Sequence, residues 1–168
     1  GCGKAALGTL YHRLGRPERA GEVERRVPAS MPLSMLEMSD LLGESGLSAA
    51  GYEFQSVDQL RVFAHGRPGG HALVLLNDYG SASPLLGLLL FPYRLLSWLH
   101  RKAAGPRRSL HHWAVLDGAE PAGVVLLDPF LGRVAWNRRR FARIWTGWAL
   151  FVAPQGPTSP TGGPHAVD

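Results

Sequence analysis

Cysteine is nearly missing from this chain. One thiol, Cys2, stands in 168 residues, so no internal disulfide can hold the fold together. Long apolar runs are missing as well. The nearest candidate, Leu85 to Leu99, is shorter than the roughly 18 to 20 residues that span a bilayer, and Pro92 and Arg94 interrupt it. No signal-peptide pattern opens the sequence, and Gly1 reads as the middle of a motif rather than a natural start. No G-x-x-x-x-G-K-[ST] phosphate loop occurs, no internal repeat is visible, and no RNA- or DNA-binding motif is present. No cofactor and no metal are expected. A lone cysteine is either inert filler or a reactive group, and composition does not choose between them.

What is there describes one globular domain. Hydrophobic residues make up 45% and mean hydropathy is −0.04, enough to bury a core without covalent staples. The net charge is +5, and from Arg101 to Arg143 nine Lys/Arg face three Asp/Glu. Without a recognition motif that excess reads as a solvated Arg-rich surface, and nucleic acid is not expected as a partner.

Residues 3–14 have helical spacing (Ala6, Leu7, Leu10, Tyr11, Leu14), with Gly15 as the stop. The stretch 16–32 is polar, with a short helix around Glu22–Arg26. A second helix is expected over 34–43, with Leu33, Leu36, Leu41 and Leu42 on or near one face, followed by a strand over 47–54. The second half turns to short β-type runs, HALVLL from His71, HWAVL from His112 and VVLL from Val124, with a fourth over 133–136. Asn137 opens a short helix to Trp145, and 149–152 is a last strand. Helices first and antiparallel strands afterwards predict an α+β domain over 1–153. The segment at about 78–110 interrupts a hairpin and reads as an inserted helical piece. Its apolar block and basic tail make 85–108 a candidate for contact with a membrane surface. Residues 154–168, rich in Pro, Gly, Ser and Thr, are expected to be a disordered tail.

Cys2 opens a helix, where unbonded N–H groups and a partial positive charge favour the thiolate, and Gly1 and Gly3 beside it would let backbone approach a substrate. A thiol nucleophile needs an imidazole base, and the base needs an orienting group. Of seven histidines, His12 lies within the first helix, His65 in a loop, His100 in the insertion and His165 in the tail. His111 and His112 lead into a strand whose neighbour ends in Asp128-Pro129. A hairpin of 113–116 with 124–127, turning through 117–123, would set the strand-opening His beside Asp128. His71 remains the rival.

The order CGKAALGTLYHRLG, a Leu-rich helix ending in LGESGLSAAGYEF, HHWAVL, then VVLLDPFLGRVAWNRRRFARIWTGWALFVAP resembles the C39 family of cysteine peptidases. Members of that family are papain-like domains that remove double-glycine leaders from bacteriocin-type precursors. The resemblance runs from Gly1 to about Ala153. It rests on CG-x-AAL, on HWAVL sixteen residues before Asp-Pro, and on F-x-x-x-W-T-G at Phe141–Gly147. It implies Cys2 as nucleophile, His112 as general base in preference to His111, and Asp128 as orienting group, in a papain-like fold of N-terminal helices packed on an antiparallel sheet. It also implies a substrate with a Gly-Gly leader, and a bacterial protein placed in the periplasm or at a membrane. The family usually carries an oxyanion Gln a few residues before the cysteine, and the sequence as given, which starts one residue before Cys2, has none there. The missing phosphate loop fits a stand-alone peptidase serving a separate secretion system. Trp113 and Trp145 are candidates for lining a narrow cleavage site. The competing reading is an inactive C39-like domain that binds a leader without cutting it.

Overall fold

The computed structural model describes residues 2–28, 31–67, 70–77 and 111–154. Three helices come first: α1 (Cys2–Arg13), α2 (Pro17–Arg26) and α3 (Met35–Gly43). Then follow β1 (Leu47–Glu53), α4 (Val57–His65), β2 (His71–Leu76), β3 (His112–Glu120), β4 (Gly123–Asp128), β5 (Gly132–Asn137), α5 (Arg138–Ile144) and β6 (Trp145–Pro154). The strands form a six-stranded sheet in the order β1-β6-β2-β3-β4-β5, every neighbouring pair antiparallel.

Both faces of the sheet are covered. On one face α1, α2 and α3 pack Leu7, Leu10, Tyr11, Val23, Met38 and Leu42 against Leu73, Trp113, Val115, Leu150 and Val152. On the other, Val57 and Leu60 of α4 and Phe141 and Ile144 of α5 pack against Val74, Leu76, Ala114, Leu116, Leu126 and Phe151. Alternation sends successive residues of β2, β3 and β6 into different cores. These central strands therefore read as unbroken apolar runs.

The α+β class and the helix-on-sheet arrangement hold. Several boundaries differ for local reasons. Helix α2 is longer than the short helix expected around Glu22–Arg26, because Pro17 at its first turn favours entry and Ala20 and Val23 give it a buried stripe. In α3, Ser34 and Glu37 form a reciprocal capping box, but Leu36 is 72% exposed. The buried pair is Met38 and Leu42, four residues apart, and Leu36 falls on the opposite side of that stripe. His65 is not in a loop: it ends α4, which Ser56 caps and whose Val57 and Leu60 are buried. The expected turn over 117–123 is far tighter. β3 runs on to Glu120, which pairs with Gly123, and a bulge between Leu116 and Gly118 absorbs Asp117. Asp117 instead ion-pairs with Arg13 at 3.0 Å and Arg133 at 3.2 Å.

Motif residues have packing reasons. A Cβ on Gly3 would stand 3.0 Å from Leu33 Cβ, so this glycine lets α1 approach its own chain. Thr146 Oγ1 donates to the Leu75 carbonyl at 2.9 Å. Gly147 has φ of 92°, and a Cβ there would stand 2.9 Å from the Phe54 carbonyl. The W-T-G segment thus locks β6 to β2 where their register shifts. The expected insertion at 78–110, its membrane-facing part at 85–108 and residues 155–168 of the expected tail lie outside the described residues, whereas Pro154 ends β6. Among the described residues no helix is long and apolar enough to cross a membrane.

Lys4 fastens the helical layer. It is 7% exposed, and Nζ donates to the carbonyls of Glu24 at 2.9 Å and Val27 at 2.8 Å and ion-pairs with Glu24 Oε1 at 2.9 Å. Lys4→Ala removes all three contacts and leaves two carbonyls at the end of α2 without this donor. The expected loss is about 2–3 kcal/mol of unfolding free energy, read as a lower urea midpoint with an unchanged slope.

Candidate active site

The start of α1 and the start of β3 meet at one end of the sheet. Cys2 is the first residue of α1, and its Sγ lies 3.4 Å from the His111 carbonyl, to which the neutral thiol donates. His112 opens β3 opposite Leu76, the last residue of β2. Val115 pairs with Leu127, so the register continued by one residue sets Asp128 across from Ala114, on the face that His112 also occupies two residues earlier. The ring follows that register: His112 Nε2 and Asp128 Oδ2 are 2.8 Å apart. His112 is 5% exposed and Asp128 3%.

The carboxylate is held on its other side too. Asp128 Oδ1 accepts the N–H of Phe130 at 2.8 Å and that of Leu131 at 2.9 Å. This is an Asp-initiated turn. Pro129 supplies no N–H and a fixed φ, and Gly132, with φ of 72°, leads into β5. With one ring nitrogen engaged by Asp128, the other is the one that can serve the thiol.

The electrostatics agree with that placement. The Cys2 thiol is pulled below its ordinary pKa, first by its hydrogen bond with His112, against the opposing effect of burial. The N–H groups of Trp113 and Gly3 also point at the sulfur and favour the thiolate. For His112, burial is the largest influence and alone would lower its pKa. Hydrogen bonds to Asp128 and Cys2, together with their charges, outweigh it and raise the value. Both shifts favour the charged forms, so a thiolate at Cys2 and an imidazolium at His112 would stabilise each other.

The structure therefore brings Cys2, His112 and Asp128 together. His111 lies beside them but is exposed and contributes its carbonyl, not its ring. The rival His71 starts β2, and five residues separate it from Leu76 beside His112, about 17 Å of extended chain. Burial there lowers its pKa, with Arg13 adding to the effect. His12 sits in the last turn of α1 and His65 in that of α4. His100 and His165 lie outside the described residues. Trp113 is 5% exposed and its ring belongs to the core under α1, α2 and α3, against which Cys2 also packs, while its backbone N–H faces the sulfur. Trp145 stacks on Phe141 with ring centroids 5.2 Å apart and packs against the other core. An open groove of about 360 Å³, lined by Ser48, Tyr52, Arg67, Gly70 and Phe151, lies toward the His71 end of the sheet, away from the thiol.

A helix-borne thiol beside a strand-borne His–Asp pair is the arrangement of a papain-like cysteine peptidase. Likeness to known proteins narrows the class. Residues 103–156 match the model of the Peptidase C39 family. The fold resembles the double-glycine-motif protease of an AMS/PCAT transporter, solved in complex with its leader peptide, at a TM-score of 0.57 and 18% identity, over 91% of this chain and 84% of that one. It also resembles the peptidase domain of Streptococcus ComA, a bifunctional ABC transporter of a quorum-sensing pathway, at a TM-score of 0.61 and 16% identity, over 92% and 91%. No curated protein matches by sequence. In fold the chain resembles C39-type peptidase domains, and its residues 103–156 match that family's model.

Phe130 has no signal in the sequence beyond its place after Asp-Pro. Its ring lies over that of His112, with centroids 5.5 Å apart.

The thiol should react as an anion at unusually low pH. The rate of Cys2 alkylation by iodoacetamide is expected to rise through a midpoint below that of a free thiol. Asp128→Asn weakens the imidazolium and moves the midpoint to higher pH. At a pH below both midpoints alkylation then slows by roughly tenfold for each pH unit that the midpoint rises. An unmoved midpoint would separate Asp128 from the thiol's reactivity.

Proposed function

We propose that this domain is a cysteine endopeptidase cutting after the Gly-Gly pair of a leader-bearing peptide or protein. The observation that carries the reading is the buried 2.8 Å bond between His112 and Asp128 beside the lowered-pKa thiol of Cys2, at the sheet end where the helix begins. Similarity in fold to a double-glycine-motif protease solved with its leader supports the substrate class.

In the proposed reaction Asp128 holds the His112 ring and favours its protonated form. The Cys2 thiolate attacks the carbonyl carbon of the second glycine, and the backbone N–H groups at the start of α1 face the developing oxyanion. As the tetrahedral intermediate collapses, His112 gives its proton to the leaving amine and the C–N bond breaks. The acyl-enzyme thioester remains. His112 then takes a proton from water, the resulting hydroxide attacks the thioester carbonyl, and the leader leaves with a free carboxylate while the proton returns to the thiol–imidazole pair.

The test is incubation with a synthetic leader peptide spanning a Gly-Gly site, followed by mass spectrometry. A single cut after the second glycine is expected. Cys2→Ala should abolish it, and His112→Ala should lower kcat by at least about a thousandfold. Replacing the second glycine by valine should remove cleavage by the unaltered chain. Absence of any cut by the unaltered chain would defeat the peptidase reading.

A further inference from the structure

We propose that Phe130 forms an apolar subsite on the leaving-group side of the scissile bond, so that the domain favours peptides whose first residue after the cut is aliphatic or aromatic. The inference rests on the peptidase reading of the same site and names a specificity element within it.

Direction comes first. A residue that protonates the departing amine must stand on the amine's side of the scissile bond. His112 is the group that can do so, and whatever adjoins its ring on the solvent side adjoins the released peptide. Phe130 occupies that place. Its ring centroid is 5.5 Å from that of His112, with 33° between the planes, and the residue is 68% exposed. The next residue, Leu131, is 38% exposed. Exposed apolar residues scattered singly need no explanation. These two are consecutive, and the ring of the first lies against the imidazole.

Their position is fixed by the chemistry of the site. The N–H groups of Phe130 and Leu131 both donate to Asp128 Oδ1, the carboxylate whose other oxygen holds His112. The apolar platform and the imidazole are therefore aligned by one group and should keep their spacing as the loop breathes. A side chain laid on Phe130 would remove apolar surface from water, and an aliphatic or aromatic group gains most from that. A carboxylate or ammonium there would lose hydration, and neither Phe130 nor Leu131 offers a side chain to pair with it.

The experiment uses four peptides identical through the leader and the Gly-Gly pair, with Leu, Phe, Asp or Lys as the next residue. The Leu and Phe peptides are expected to be cut with kcat/KM about tenfold above the Asp and Lys peptides. Phe130→Ser should shrink that ratio to within about twofold and Phe130→Leu should retain most of it. A ratio is read because any general effect of Phe130 on His112 cancels from it. In parallel, Cys2→Ala, alone and combined with Phe130→Ser, is titrated with the same uncut peptides by fluorescence anisotropy. The same order of affinity is expected, and its loss in the double variant. A Phe130-dependent order of affinity without any cleavage would defeat the peptidase reading and uphold the subsite. Equal cleavage and affinity across the four peptides, or a preference that survives Phe130→Ser, would overturn the subsite and leave the peptidase reading intact.

Discussion

The Asp128 side chain is fully removed from solvent. A carboxylate so placed would cost several kcal/mol without partners. Among the described residues it is held by the His112 ring and by the backbone N–H groups of Phe130 and Leu131, all within 2.9 Å. Much of the site follows from satisfying that group. One oxygen sets the orientation of the imidazole, and the other sets the path of the chain from β4 into β5. The carboxylate reaches both because the β3–β4 register brings it across from Ala114. A slip of one residue in that pairing would send Asp128 to the face covered by α1, α2 and α3 and leave its charge in an apolar core. The sheet's registry and the site's electrostatics are thus one constraint.

That coupling bears on what the sequence reveals. The central strands are legible because burial on both faces makes β2, β3 and β6 continuous apolar runs. The α4 helix escapes notice because its signal is thin: a Ser56 cap and a few apolar residues at helical spacing, in a short polar stretch. The length of β3 is obscured by Asp117-Gly118, which reads as a turn but forms a bulge whose acidic side chain is claimed by Arg13 and Arg133. Tertiary charge pairing overrides local turn chemistry there.

The site residues divide in the same way. Cys2 stands more than a hundred residues before His112 and Asp128, and no local pattern links it to them. The three can be named together because strand order puts a histidine at one strand's start beside an aspartate at the next strand's end, and because the chain resembles a known family. His71 is a fair rival on the same local grounds. Only the antiparallel pairing of Leu76 with His112 shows that His71 lies at the far end of the strand. Phe130 is invisible in the sequence, since one aromatic after Asp-Pro looks like any exposed turn residue. Gly3 is legible as a small residue beside the thiol, and the structure adds a packing cause, Leu33 of the same chain.

The first turn of α1 shows why stability and reactivity are carried by different contacts. A helix start is ordinarily strengthened by an acidic residue, and α1 has none in its first turn. Such a residue would oppose a thiolate at Cys2. Lys4 stands there instead, a placement that works against the helix dipole by some tenths of a kcal/mol up to about 1. The deficit is local, and the remedy is tertiary: the Lys4 ammonium binds the carbonyls of Glu24 and Val27 and the Glu24 carboxylate, at the end of α2, where the dipole favours a cation. Helix α1 is thereby anchored two residues from the thiol without drawing an anion to the sulfur. The N–H of Gly3 stays directed at the sulfur, and the charge that holds the helix in place belongs to a side chain turned away into the helical layer.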